Sequence, residues 1–223
     1  MFAPRTTPWP LVALFTAGYL APYLLPTTVG RLERGLDLSP TQAGAVGSAL
    51  LLSSALAGFL LAARVERFGA RTLARLGLAL AVLGYGGAAL TSAVPAVVAG
   101  AVIGGFGSGT ATTVAATRIA AEPDPHRGST LGLLSVSALA GVVYLTVPHL
   151  PGHGLTLAAI ALTALAVWPL TSRLPGPAPV AHRAAPGTGT GTGRLPYRRS
   201  GPVLAGAMVF WSLAQNALWG MSG

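Results

Sequence analysis

Cysteine and lysine are both absent from this chain of 223 residues, and only five residues are acidic. Without cysteine, the chain can form no disulfide, no thiolate metal site and no cysteine nucleophile. Without lysine, it cannot hold retinal as a Schiff base, which excludes a light-driven pump. Charged residues make up 9% of the sequence and hydrophobic residues 52%, whereas soluble domains carry about 25% charged residues. The composition therefore predicts an integral membrane protein.

Most of the chain consists of long stretches with almost no charged residues. A helix of about 20 residues matches the roughly 30 Å hydrocarbon core of a bilayer. We therefore predict an all-α, polytopic bundle in which six spans fill residues 1–173 and a seventh follows at 201–223. The stretches, free of charge except for Arg75 near the start of the third, are roughly 8–30, 38–63, 72–95, 96–117, 128–150, 154–172 and 201–223.

The fourteen arginines are distributed unequally between the gaps that separate these stretches. Twelve lie in alternate gaps that share one side, and only Arg31 and Arg34 lie on the other side. Positive residues in short loops remain cytoplasmic, so the pattern predicts a cytoplasmic N-terminus. The same rule explains the net charge of +9, and we expect no nucleic-acid partner. The complete replacement of lysine by arginine is typical of a GC-rich bacterial genome, which favours the inner membrane as the location.

The gap between the second and third spans carries the most specific motif, Ala62-Ala-Arg-Val-Glu-Arg-Phe-Gly-Ala-Arg71. It resembles the loop signature G-x-x-x-D-R-x-G-R-R of the major facilitator superfamily. Arg67, Gly69 and Arg71 match this signature, and Glu66 keeps its carboxylate. Alanines at 62 and 70 replace a glycine and an arginine. The resemblance implies that Glu66, Arg67, Gly69 and Arg71 form the loop that holds the two halves of a transporter together in one conformation.

Two other segments are similar to the same family. Leu36–Gly44 resembles the entry to its second helix, with Ser39 as a candidate N-cap and Gln42 completing a capping box. Arg127-Gly128 resembles its loop between helices 4 and 5. The resemblance implies a solute transporter that works by alternating access, with helices 1, 4 and 7 lining a central cavity. The antiporter signature of helix 5 is not matched, because Leu145 stands where a glycine is needed.

The layout of the C-terminal part also fits half of such a transporter. Residues 174–200 are rich in proline, glycine and threonine and carry basic residues, so they predict a flexible cytoplasmic linker. Residues 201–223 would then be the first helix of an incomplete second bundle. We expect a truncated or half-length form, which would need a second half-transporter or a second copy of the chain as partner, besides the lipid bilayer.

Candidate substrate-binding residues are polar or aromatic, because no Asp, Glu or Arg lies well inside a span. Their character predicts a small neutral or weakly polar solute, and no cofactor or metal is expected. Two prolines near the tyrosines of the first span predict a kinked helix with free carbonyl groups. The candidates in the first, fourth and seventh spans are Tyr19, Tyr23, Thr113, Trp211, Gln215 and Asn216.

Two other functions are compatible with some of these features. A seven-helix receptor would fit the number of spans, although a cytoplasmic N-terminus opposes it. An intramembrane serine protease would need a buried serine and a histidine at the same depth. Ser108 is deep enough, but His149 and His153 lie at the outer end of the fifth span and in the following loop. Prolines and glycines around these histidines break the helix that would present both to a metal.

Overall fold

The computed structural model describes residues 9–147, 150 and 152–174, without the side chains of Ala63 and Glu66. All regular structure in this part of the chain is helical, so the predicted all-α bundle is confirmed. Short 3₁₀ segments follow the third and eighth helices, at Ala62–Arg64 and Trp168–Arg173. The α-helices are α1 (Trp9–Tyr23), α2 (Leu25–Gly35), α3 (Pro40–Leu61), α4 (Val65–Phe68), α5 (Ala70–Ala89), α6 (Val94–Ala120), α7 (Pro125–Thr146) and α8 (Leu155–Val167).

The described helices provide five membrane spans, or six when one bent pair is counted as a span. Five segments are each long and apolar enough to cross a bilayer, namely α3, α5, α6, α7 and α8 with its 3₁₀ extension. The pair α1 and α2, which meet at an angle of 48°, passes the same test when its two helices are taken together, and it is numbered here as span 1. The predicted linker at 174–200 lies outside the described residues apart from Leu174, and the predicted seventh span at 201–223 lies wholly outside them.

The first span differs from the continuous stretch that charge alone predicted. It breaks between Tyr23 and Leu25, and α2 then continues to Gly35, so Arg31 and Arg34 lie on a helix and not in a loop. Pro22 and Pro26 explain the break, because a proline inside a helix removes one backbone hydrogen bond and clashes with the preceding turn.

The start of α3 is fixed by a local polar contact. The backbone amide of Gln42 donates to the Ser39 hydroxyl, and the backbone amide of Ser39 donates to the Gln42 side chain at 2.9 Å. This reciprocal pair satisfies two backbone donors that a helix start leaves without partners. The capping box predicted from the sequence is confirmed.

Helix α6 occupies the centre of the bundle, with α1, α3 and α5 packed around it. Its glycines make that possible, because two of its faces carry no side chain at the crossing points. Gly104 and Gly107 lie against the backbone of α5 or against Tyr85, and Gly105 and Gly109 lie against the backbone of α3. A β-carbon at any of these four positions would overlap a neighbouring atom.

Candidate functional site

Three aromatic rings form a continuous cluster along α1. Phe15 and Tyr19 stack with ring centroids 4.7 Å apart and planes inclined by 14°. Tyr19 meets Tyr23 edge to face, at 6.4 Å and 70°. Phe15 is buried, whereas both tyrosines are only half-buried and pack against the core with one side. The two tyrosines proposed from the sequence are therefore neighbours.

The break in span 1 adds polar backbone groups to this cluster. Pro22 has no amide hydrogen, so the carbonyl of Gly18 loses its donor in the helix, and Pro26 does the same to the carbonyl of Pro22. The carbonyl of Tyr23, at the break itself, accepts a hydrogen bond of 2.7 Å from the hydroxyl of Tyr144 on α7. Tyr144 was not a candidate from the sequence, because nothing in α7 alone indicates that it reaches span 1.

Thr113 of α6 does not face α1, the helix that carries the two tyrosines. Its hydroxyl donates to the carbonyl of Gly109 at 2.7 Å, one turn earlier in the same helix. It faces Gly58 of α3, whereas its neighbour Thr112 faces Gly18 of α1. Such a bond within the helix occupies the donor of the hydroxyl, and only its acceptor capacity remains for a ligand. The candidates of the seventh span, Trp211, Gln215 and Asn216, lie outside the described residues.

A buried polar pair lies deeper in the bundle, where α5 crosses α6. The hydroxyl of Ser108 donates to the hydroxyl of Tyr85 at 3.3 Å, and both side chains are almost completely buried. The ring of Tyr85 fills the space beside Gly104. Among the described histidines, His126 begins α7 and His153 follows it, so no histidine base is placed beside this serine.

The loop between α3 and α5 turns sharply at Gly69. This residue has φ 83° and ψ 128°, a conformation that side chains with a β-carbon rarely adopt. Arg67 is exposed, and the side chain of Glu66 lies outside the described part of the structure. Arg71 reaches across to the end of span 6, where its guanidinium donates to the carbonyl of Leu174 at 3.2 Å.

Arg75 makes a second link of the same kind, one turn after Arg71. Its Nε donates at 3.1 Å to the hydroxyl of Thr171, a buried residue in the 3₁₀ segment that ends span 6. In the sequence, Arg75 is only one of the twelve arginines that share one side of the membrane and indicate orientation. Its spacing of four residues from Arg71 was a usable signal, because side chains at this spacing share one face of a helix.

On the opposite side of the bundle, Arg31 binds the segment that connects α7 to α8. Its guanidinium donates to the carbonyls of Val147 at 2.9 Å and Leu150 at 2.8 Å, and also to that of Gly152. In the same segment, Nε2 of His153 lies 3.0 Å from the carbonyl of Thr91, between α5 and α6. Two side chains thus join α2 and the connection between α5 and α6 to the connection between α7 and α8.

Comparison with known protein families identifies a family that covers nearly the whole chain. Residues 10–222 match the Major Facilitator Superfamily, and this range includes the broken span, the loop at Gly69 and the segment after span 6. No curated protein matches the chain.

Proposed function

The chain belongs to the Major Facilitator Superfamily, and from that membership we propose that it moves a small neutral or weakly polar solute by alternating access. It is a multi-pass membrane protein and a transporter of this family. The observation that carries the choice of solute is the half-buried pair Tyr19 and Tyr23 beside the break in span 1. Hydroxyls and backbone carbonyls recognise a ligand through hydrogen bonds without requiring it to carry charge.

The charges of the described spans also favour a neutral solute. Arg31, Glu33 and Arg34 lie in the outer part of α2, Arg71 and Arg75 lie at the start of α5, and Arg118 lies near the end of α6. An ion or a proton relay at mid-membrane depth would need an ionisable partner there, since such groups are costly in lipid and mark ion pathways. We propose that Trp211, Gln215 and Asn216 of the predicted seventh span complete the site around the tyrosines. Thr113, whose hydroxyl faces Gly58 of α3, lies apart from them.

Alternating access requires two bundles that rock around a midplane site. The described residues form one bundle, in which α3 and α7 are the two spans that bury the smallest share of their residues. Both expose large apolar side chains, such as Phe59, 85% exposed, and Leu145, 75% exposed. We infer that a second bundle packs on these faces, supplied by a half-transporter or by a second copy of this chain. Lipid could cover the same faces, and cross-linking distinguishes the two: Leu145→Cys should form intermolecular cross-links in membranes, whereas Leu162→Cys on α8 should not.

We propose that the loop with Glu66, Arg67, Gly69 and Arg71 controls this rocking motion from the cytoplasmic side of the inner membrane. Arg71 supports that role because it connects the loop to Leu174, where the predicted linker begins. The transporter is proposed to have no enzymatic activity, since Ser108 is engaged with Tyr85 and packed in the core.

The proposed site is tested by solute binding to the purified protein. Neutral solutes that raise its thermal stability are first identified and then measured for uptake into proteoliposomes. Tyr19→Phe keeps the ring and removes one hydroxyl, so it should weaken solute binding about tenfold, as expected for the loss of a buried hydrogen bond. Tyr85→Phe removes a hydroxyl elsewhere in the bundle and should leave solute affinity within about twofold. Equal affinities for the wild type and Tyr19→Phe, or stabilisation by charged solutes alone, would refute the proposal.

A further inference from the structure

A groove runs along the N-terminal half of α5, beside the 3₁₀ segment that ends span 6. Its cavity volume is about 270 Å³. Two guanidinium groups lie towards one end and apolar side chains towards the other. The residues that line it are Arg71, Thr72, Arg75, Leu76, Ala79 and Trp168.

The guanidinium groups are held in place by hydrogen bonds, but not all of their N–H donors are used. Arg71 donates one hydrogen bond to the carbonyl of Leu174, and Arg75 donates one to the hydroxyl of Thr171. Each guanidinium has five N–H donors, so both keep donors for a ligand, and both side chains are exposed. Among the described residues that line the groove, none is acidic. The polar end is therefore a fixed, positively charged recess that suits a phosphate group.

The apolar end of the groove lies further along α5, away from the two arginines. Leu76 is 53% exposed and Trp168 is 36% exposed, and Ala79 continues the lining one turn further from the arginines. Arg71 and Ala79 are eight residues apart, which is about 12 Å along a helix. A change from cationic to apolar over this distance matches the change from headgroup to acyl chain in a bilayer, and tryptophan is enriched at that boundary.

We propose that this groove binds an anionic phospholipid of the cytoplasmic leaflet. Its phosphate would lie between Arg71 and Arg75, and the upper part of an acyl chain would lie on Leu76, Ala79 and Trp168. The inference rests on the cytoplasmic orientation proposed above, and it does not depend on which solute is transported. A free phosphate would satisfy the arginines but leave the apolar end exposed, so the lipid is the occupant that matches both ends.

Fluorescence of Trp168 in the full-length chain measures occupancy directly. Phenylalanine replaces the other three tryptophans, Trp9, Trp211 and Trp219, and the protein is reconstituted in phosphatidylcholine that contains a small fraction of a brominated lipid. Brominated phosphatidylglycerol should quench Trp168 about fivefold more effectively than brominated phosphatidylcholine at equal fraction, because each arginine near the surface favours an anionic headgroup. Equal quenching by the two lipids would overturn the proposal.

Variants separate the groove from the general positive charge of this side. Thr72→Glu places a carboxylate beside the arginines without removing their links, so the preference for phosphatidylglycerol should disappear. Thr72→Gln, of similar size, should keep it. Arg64→Gln removes one charge from the preceding loop, outside the groove, and should also keep the preference. If Arg64→Gln abolishes it as Thr72→Glu does, or if Thr72→Gln also abolishes it, the groove is not a phospholipid site.

The failure of this proposal can be distinguished from the failure of the proposed transport site. The lipid experiment reads Trp168 and involves no solute, whereas the solute experiment depends on Tyr19 in another part of the bundle. If brominated lipids quench Trp168 only when they are confined to the opposite leaflet, the orientation is wrong and the lipid site as stated is refuted.

Discussion

Single glycines decide how closely the helices of this bundle approach one another. Gly109 of α6 lies directly on the backbone of Ser54, so that a β-carbon there would overlap the carbonyl oxygen of that residue. Gly141 of α7 has no atom within 4 Å of the position its β-carbon would take. The two glycines look alike in the sequence, because both lie inside charge-free helical stretches. Only the packing separates them.

Gly109→Ala should therefore destabilise the protein, and Gly141→Ala should not. The overlap with Ser54 cannot be relieved by a side-chain rotation, and such overpacking costs about 1–3 kcal/mol. Alanine at 141 meets no neighbour and should be neutral or should stabilise the helix by about 0.5–1 kcal/mol. Thermal unfolding in detergent, followed by the loss of the monodisperse peak on gel filtration, measures both. Equal melting temperatures for the two variants would contradict the packing described for α6.

Gly69 acts through its backbone conformation and not through packing. Its φ of 83° with ψ of 128° is a region that residues with a β-carbon avoid, and the cost of forcing one there is about 1–3 kcal/mol. Gly69→Ala should reduce stability by that amount, although no neighbouring atom obstructs the new methyl group. Gly87→Ala is the control, because Gly87 is helical and has open space beside it. An unchanged melting temperature for Gly69→Ala would show that the loop tolerates another turn.

At the scale of elements, the bundle is held at each side by arginines that bind main-chain carbonyls of a distant segment. Arg31 links α2 to the connection between α7 and α8, and Arg71 links the start of α5 to Leu174. Neither link could be predicted from the sequence. An arginine in a gap between spans indicates orientation, but the chain offers no local signal for a carbonyl more than a hundred residues away.

Arg31→Gln should loosen the outer side of the bundle. The variant loses charge-assisted bonds to Val147, Leu150 and Gly152, and bonds of this kind are worth about 1.5–3 kcal/mol each before solvent exposure reduces them. We expect a lower melting temperature together with faster exchange of the backbone amides of Leu150 and residues 152–154. Arg34→Gln removes the same charge from the same helix, where the side chain is exposed, and should change neither. If both variants lose stability equally, the effect comes from charge and not from the carbonyl contacts.

The break in span 1 could be foreseen in part. Pro22 and Pro26 predicted a kink, but the extent of the helix beyond it did not follow, because Arg31 and Arg34 appeared to end the span. Long arginine side chains can lie on a helix and still reach the membrane surface or a polar partner, so charge does not mark the end of a helix as sharply as it marks the end of the hydrocarbon. Tyr19 and Tyr23 are four residues apart, a spacing that places them on one face of a helix, whereas nothing in the sequence brings Tyr144 to span 1.

At the scale of the whole molecule, the family and the helical bundle could be predicted because both depend on features distributed along the chain. Apolar length, the positions of arginines and the motif around Gly69 each remain readable without any knowledge of contacts. The central position of α6 depends instead on which of its faces lack side chains, and that becomes clear only when its neighbours are known. The side-chain partners of the candidate site likewise become clear only when the neighbouring helices are known.

The transport proposal and the lipid proposal both depend on the topology of these spans in the membrane. Because the chain has no cysteine, single cysteines can be introduced as unique labels. Ala62→Cys and Ala121→Cys lie on the side proposed as cytoplasmic, Ser92→Cys lies on the opposite side, and all three positions are exposed. In intact cells, a membrane-impermeant maleimide should label Ser92→Cys alone, and the other two should react only after the membrane is opened. Labelling of Ala62→Cys and Ala121→Cys in intact cells, with Ser92→Cys protected, would contradict the account.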